Sequence, residues 1–157
     1  MSIENVKEYL RLYGKDSDIK ELESSSATVE LAASALNVIP ARIAKTLSFK
    51  KEDTCILVVT AGDTKIDNKK FKNVFGFKAK MLNSDEVQDL TGHPVGGVCP
   101  FALKSDSVDV YCDISMQRFD TVFPACGTVN SAIELTCDEL FKISKSKMWV
   151  DVCLVKG

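Results

Sequence analysis

Apolar positions recur at helical spacing at the start of the chain. Val6, Leu10 and Tyr13 share one helical face, and Gly14 ends that helix. Ile19 to Leu22 predicts a short strand. Thr28 is placed to cap a second helix carrying Val29, Leu31, Ala32 and Leu36, which ends near Asn37. The pattern then becomes extended over Ile43–Lys50 and Cys55–Thr60. The second of these runs (Cys-Ile-Leu-Val-Val-Thr) is apolar on both faces, which marks an interior strand.

Asp67 to Phe77 predicts a lysine-studded helix, and Asn83 with Glu86 forms a capping box for a helix ending at Gly92. After a glycine-rich turn at 92–100, strands are expected at Val108–Cys112, Thr121–Ala125 and Ser131–Leu135, the last two joined through Cys126-Gly127-Thr128. Thr136 and Glu139 open a final helix with Leu140, Phe141 and Ile143, and Trp149–Val155 closes the sheet. Strands alternate irregularly with helices, and some neighbours are hairpin-linked. The class is α+β, with a mixed, partly antiparallel sheet of about six strands and helices packed around it. No repeat, low-complexity tract or linker interrupts residues 1–157, so one domain is expected.

Composition narrows the function classes. The chain has 157 residues, 45% of them hydrophobic and 27% charged, with 20 basic against 22 acidic side chains. A net charge of −2 argues against a DNA-packaging or polybasic protein but leaves room for a local basic face. No apolar run approaches the roughly 20 residues of a membrane span, and the opening Met1-Ser2-Ile3-Glu4-Asn5 lacks the order of a signal peptide. A cytoplasmic protein without membrane or DNA partners is expected.

The six cysteines (Cys55, Cys99, Cys112, Cys126, Cys137, Cys153) form no Cys-x-x-Cys pair, and His93 is the sole histidine. A structural zinc needs four tetrahedral ligands, usually supplied as close pairs, so neither a metal nor another cofactor is expected. Most of the thiols read as small buried hydrophobes. A nucleophilic device would have to use His93, which stands between Gly92 and Pro94 in a turn. The plainer reading there is a solvent-exposed or turn-capping histidine. P-loop and dinucleotide-binding glycine motifs are absent.

Three features could carry chemistry. Alternation along Ile43–Phe49 puts Lys45 on the same side as Ile43, Leu47 and Phe49, writing an ammonium into an apolar register. Such a group shifts its pKa, finds an anion, or snorkels to water. Gly96-Gly97, between Pro94 and Pro100, can take backbone angles closed to other residues, and successive amides there can converge on negative charge. A tight loop without ligand is the simpler use of such a pair. Finally, Lys65, Lys69, Lys70, Lys72, Lys78 and Lys80 fall in a stretch whose single acid is Asp67. A cluster of this kind can meet phosphates, although a solvated helix face accounts for it equally.

Taken in order, Ala44-Lys45-Thr46-Leu47, Gly96-Gly97-Val98-Cys99-Pro100-Phe101, Ala125-Cys126-Gly127-Thr128, Ile133-Glu134-Leu135 and Asp138-Glu139-Leu140 resemble the YbaK family, also called the prolyl-tRNA-synthetase-associated or EbsC-like domain. The resemblance runs from about residue 20 to the last strand. It implies a freestanding aminoacyl-tRNA deacylase acting in trans, similar to the editing domain inserted in bacterial prolyl-tRNA synthetases. Lys45 corresponds to the family's required lysine, Gly96 to Pro100 to its Gly-x-x-x-Pro loop, and Gly127 to the glycine of the later loop. The resemblance thus implies a catalytic set of Lys45, Gly96, Gly97, Val98, Cys99 and Gly127. Thr46, Pro100, Phe101, Ala125, Cys126 and Thr128 become implied substrate contacts, and Lys69, Lys70 and Lys72 tRNA contacts. Cys99 and Cys126 stand where relatives often carry Ser, Thr, Ala or Gly, which leaves amino-acid preference and redox behaviour open.

Ester hydrolysis passes through a tetrahedral oxyanion, and the sequence offers no obvious nucleophile or general base. It offers backbone amides around Gly96–Cys99 and one cation. A single well-placed donor is worth about 3–4 kcal/mol of barrier. Lys45 would grip the terminal phosphate or add charge near the oxyanion, while water attacks. A synthetase pocket gains only about 1–3 kcal/mol from one methylene, so a second site that clears cysteinyl- or alanyl-tRNA for proline fits translation fidelity. Aminoacyl-tRNA and prolyl-tRNA synthetase are the implied partners. The alternatives are a non-catalytic module that docks on tRNA acceptor ends or on a synthetase and, more weakly, a hydrolase of small acyl esters.

Overall fold

The computed structural model describes residues 2–156. Helix α1 (Ser2–Arg11) buries Val6 and Leu10 completely, at the spacing that its sequence shows. Helix α2 (Val29–Leu36) starts where the Thr28 hydroxyl accepts the Leu31 amide at 3.1 Å, and it stops at Asn37, whose φ of 57° is left-handed. Helix α3 (Asn68–Phe75) begins at Asp67, whose carboxylate accepts the amides of Lys69 (2.9 Å) and Lys70 (3.0 Å). Helices α4 (Ser84–Thr91) and α5 (Cys137–Ile143) both open with reciprocal capping boxes, Asn83 with Glu86 and Thr136 with Glu139. Each such cap contributes about 1 kcal/mol, so local chemistry alone sets these boundaries.

The strands are β1 (Lys20–Glu21), β2 (Ile43–Lys51), β3 (Thr54–Ala61), β4 (Thr64–Ile66), β5 (Asp109–Asp113), β6 (Thr121–Pro124), β7 (Ser131–Ala132), β8 (Leu135–Thr136), β9 (Trp149–Val150) and β10 (Cys153–Val155). Six of them form a mixed sheet in the order β8-β6-β2-β3-β5-β9. The β2–β3 and β6–β8 pairs are antiparallel; β2–β6, β3–β5 and β5–β9 are parallel. The expected α+β class and six-stranded mixed sheet are therefore present. Strand β3 lies in the interior, and both of its faces are covered. Cys55, Leu57, Val59 and Ala61 join a core with Phe101 and Leu140, while Ile56 and Val58 join another with Phe49, Phe71 and Val150.

Two expected strands break in half. Within Ser131–Leu135, β7 pairs with β1 and β8 pairs with β6, while an Ala125–Ala132 bridge and the Ile133 amide donating to the Pro124 carbonyl at 3.1 Å keep the expected hairpin with β6, so the segment serves that hairpin and a second small sheet. Trp149–Val155 divides at Asp151–Val152: β9 joins the sheet edge, whereas β10 leaves it to pair with β4. The break is held by the buried Asp113 carboxylate, which accepts the Val152 amide at 2.9 Å, and by the Val152 carbonyl, which accepts the Asp67 amide at 2.9 Å. These bonds satisfy main-chain groups that a continuous strand would have directed at a neighbour.

Candidate functional site

Strand β2 is paired from Ala44 to Lys51 on the β3 side but only near its ends on the other. There, Ile43 and Ala44 pair with Phe123 and Pro124 of β6. Farther along, the Lys50 amide donates to the Lys80 carbonyl (2.8 Å) and the Leu82 amide to the Ser48 carbonyl (3.3 Å). Between these two partners the edge of Lys45–Leu47 stays open. A cavity of about 260 Å³ occupies the gap, lined among others by Lys45, Thr46, Gly96, Val98, Ala125 and Ser131.

Lys45 shares its face of β2 with Leu47 and Phe49, as alternation requires, and it is half-buried. Its amine donates to the carbonyl of Thr64 on β4. Burial pushes its pKa below the ordinary lysine value, and nearby Lys156 lowers it further; Cys153, Asp63 and Glu30 oppose the shift. Asp63 is itself held ionised by Arg118, which binds it through two guanidinium nitrogens at 2.6 and 3.0 Å. Among the residues lining the cavity, Lys45 carries the only formal charge, and no carboxylate, histidine or thiol is present.

The double glycine forms a 3-10 turn, Val95–Gly97, in which the Gly97 amide donates to the Pro94 carbonyl at 2.9 Å. Neither Gly96 nor Gly97 has a left-handed φ, so the expected need for unusual backbone angles does not hold; the need is for space. A Cβ on Gly97 would stand 2.5 Å from the Thr128 nitrogen and 2.7 Å from the Gly127 carbonyl carbon. A Cβ on Gly96 would meet Val129 Cγ1 at 2.7 Å and Ala27 Cβ at 3.1 Å. The two loops named from the sequence therefore press main chain against main chain. Gly127, at φ 95°, does require glycine for its conformation.

The remaining expected site residues lie behind this contact. Cys99, Phe101 and Cys126 are fully buried in the main core. Burial raises the Cys99 thiol to about 12 and the Cys126 thiol well above its ordinary value, so neither has thiolate character. Pro100 is buried and faces a different surface depression, beside Tyr9 and Val108. Thr128 donates its hydroxyl to Ser131 Oγ at 2.7 Å. Of the candidate residues, Lys45, Thr46, Gly96, Val98 and Ala125 line the cavity, while Gly97, Gly127 and Thr128 support its wall.

His93 corrects the expectation of an exposed or turn-capping side chain: it is 1% exposed. Its Nε2–H donates to the Phe101 carbonyl at 2.7 Å, and Cys99 Sγ lies 3.5 Å from the same nitrogen. The imidazole thus fastens the far end of the glycine loop from inside the core. Burial lowers its pKa, which keeps it neutral and able to serve as that donor.

The lysine cluster divides as well. Lys70 is committed to Asp151 (3.0 Å) and to the Cys153 carbonyl (3.2 Å), whereas Lys69 and Lys72 are exposed. The apolar side of α3 puts Phe71 against Phe49, with ring centroids 4.7 Å apart. Sequence reasoning missed Ser26, Ala27 and Thr28 before α2, and Met81 and Leu82 before α4, all of which line the cavity. Nothing in their local pattern signals this, because the cavity forms only when segment 80–82 docks on β2.

The arrangement offers a partly apolar chamber for a small group, lined by part of the glycine turn and by one cation. Residues 23–143 match the family described as the aminoacyl-tRNA editing domain. The chain is 55% identical over 154 residues to the uncharacterized protein YwhH of Bacillus subtilis (strain 168), spanning 98% of each. It is 31% identical over 105 residues to a proline–tRNA ligase of Bacillus pumilus (strain SAFR-032), covering 64% of this chain but 18% of the ligase. A crystal structure described as that of a proposed trans-editing enzyme for prolyl tRNA synthetase matches with TM-score 0.86 and 26% identity, over 99% of this chain and 98% of that one. With the profile match extending over most of its length, the chain belongs to the aminoacyl-tRNA editing domain family.

Proposed function

We propose that the protein is a trans-acting aminoacyl-tRNA deacylase that hydrolyses the ester of a small mischarged amino acid, with cysteine or alanine on the proline tRNA as the first candidates. The observation that carries the reading is the cavity at the open edge of β2. It has room for an aminoacyl group, and Lys45, Gly96 and Val98 line its wall. Met81 and Val95, both 56% exposed, line it too and offer apolar cover for the terminal adenosine at its mouth.

In this reading water adds to the ester carbonyl and the carbonyl oxygen becomes an oxyanion. The carbon–oxygen bond to the ribose then breaks, and the proton lost by water passes to the ribose oxygen. Donors on the glycine loop hold the oxyanion; removal of one such donor from an enzyme costs about 10²–10³ in rate. The Gly97 amide is spent on Pro94, which leaves those of Gly96 and Val98, the turn residues that line the cavity, for this task. Lys45 supplies positive charge beside the cavity, where low dielectric strengthens it. The chamber has no carboxylate or imidazole to act as general base, so the acceleration would come from electrostatics and positioning.

The test is release of free amino acid from a panel of mischarged tRNAs. The deacylase reading expects turnover of at least one small aminoacyl-tRNA and its loss in Lys45→Ala with the fold retained. Binding of tRNA without release would instead favour the non-catalytic docking module.

A further inference from the structure

Thr46 carries three hydrogen-bonding groups for which the described residues supply no partner. Its hydroxyl oxygen is buried without a hydrogen bond, in a residue only 8% exposed. Its main-chain groups follow from register. Strand residues alternate in direction, and the Ser48 carbonyl and Lys50 amide both point away from β3, toward Leu82 and Lys80. Thr46 therefore points its N–H and C=O to that same outer edge. Pairing with β6 ends at Ala44–Pro124, and pairing with segment 80–82 begins at Ser48, so the gap between them falls at Thr46. Buried polar groups are nearly always satisfied, and three unmet ones on the wall of a cavity mark a place that a ligand completes.

An aminoacyl ester presents the hydrogen-bonding groups of one strand residue: a nitrogen on the α-carbon and a carbonyl beside it. Resting on the deacylase reading above, we infer that the aminoacyl group docks on Thr46 as a one-residue strand. Its α-amino N–H donates to the Thr46 carbonyl oxygen, and its ester carbonyl accepts the Thr46 N–H. Thr46 Oγ1 stands on the same residue as a further acceptor. The neighbouring Lys45 side chain leaves β2 on the face opposite to Thr46 Oγ1, and its amine donates to the Thr64 carbonyl. The pairing holds the reacting carbonyl in place and makes a free α-amino group a requirement: an acyl ester without one cannot close the ring of two hydrogen bonds.

The experiment titrates ¹⁵N-labelled protein with the alanyl and the propionyl amides of 3′-amino-3′-deoxyadenosine, which resist hydrolysis and differ only in the amino group. The alanyl probe is expected to shift the Thr46 amide resonance and to bind at least tenfold tighter than the propionyl probe. Equal affinities within twofold, or alanyl binding that leaves the Thr46 resonance unmoved, would overturn the pairing. If alanyl-tRNA is cleaved while the probes bind alike, the pairing falls and the deacylase reading stands; if neither probe binds and no ester is cleaved, both fall. Thr46→Val removes the unpartnered hydroxyl and leaves both main-chain groups in place, so it is expected to fold and to weaken the alanyl probe by less than the tenfold preference that the main-chain pairing supplies. Loss of that preference in the folded variant would move recognition to the hydroxyl and overturn the main-chain pairing.

Discussion

Gly97 and Thr128 touch through their main chains, so closely that a methyl group on Gly97 would stand 2.5 Å from the Thr128 nitrogen. The double-glycine turn and the later loop thus form one wall of the cavity. Its shape depends on an atom that is missing from Gly97.

Gly97→Ala is therefore expected to be costly. Backbone must shift to admit the methyl group, an overpacking penalty of about 1–3 kcal/mol. For a chain of this size each kcal/mol lowers Tm by roughly 2–4 °C. Ester cleavage should fall more steeply than stability, because the shift displaces the Gly96–Val98 wall. Gly96→Ala meets two side chains instead, so its thermal cost should be smaller. Thermal melts and deacylation rates of both variants check the order; equal Tm values for Gly97→Ala and the parent protein would contradict it.

Lys45 is expected to trade stability for activity. Burial favours its neutral form in the folded chain, so the folded state gives up the proton at lower pH than the unfolded state does. Stability then rises with pH between the depressed folded value and the ordinary value of about 10.5, and holding the charge at neutral pH costs stability. Lys45→Met should leave Tm unchanged or raise it, flatten the alkaline part of the stability profile, and reduce deacylation about 10²-fold. Melts at neutral and alkaline pH, paired with rate measurements, test this; a large fall in Tm would mark the lysine as structural.

His93 should make the fold acid-sensitive. The unfolded chain takes up a proton near the ordinary histidine value of 6.5, whereas the buried ring resists until its lower folded value is reached. The stabilisation is present above about 6.5 and is lost as pH falls through the folded value. His93 is the sole histidine, so this window is free of other imidazoles. His93→Gln retains a donor toward the Phe101 carbonyl and should flatten denaturation profiles in that window. An unchanged slope would remove His93 from the account.

On α3, Lys69→Ala with Lys72→Ala should raise KM for aminoacyl-tRNA and flatten its salt dependence, with kcat little changed. Lys70→Ala should act mainly on stability, since its amine binds Asp151 and the Cys153 carbonyl. Because Asp151 is 54% exposed and solvent screens the pair, that effect should be small. If KM and its salt dependence do not move in the double variant, the helix face is only solvated.

Much of the fold was legible because local chemistry writes it. Thr28, Asn83 and Thr136 cap the helices they were expected to cap, and the apolar run at 55–60 is the interior strand. Ser131–Leu135 and Trp149–Val155 were read as continuous strands because apolar alternation does not register which neighbour a backbone meets. Their division is set by distant partners, β1 for one and Asp113 for the other. Strand β4 escaped notice because three residues carry too little periodicity, although its Thr64 carbonyl holds the Lys45 amine. At the site, the lysine and glycines stood out as exceptions to their surroundings. The open edge at Thr46 did not, since it is defined by the absence of a neighbour.

The most direct measurement is the rate of amino-acid release from alanyl- and cysteinyl-tRNA of the proline type, for the parent protein and Lys45→Ala, beside correctly charged prolyl-tRNA. Turnover of at least one mischarged species, sparing of prolyl-tRNA, and a loss of about 10²-fold in the variant are expected. Cleavage that is indifferent to the amino acid and unchanged without the Lys45 amine would contradict the deacylase reading.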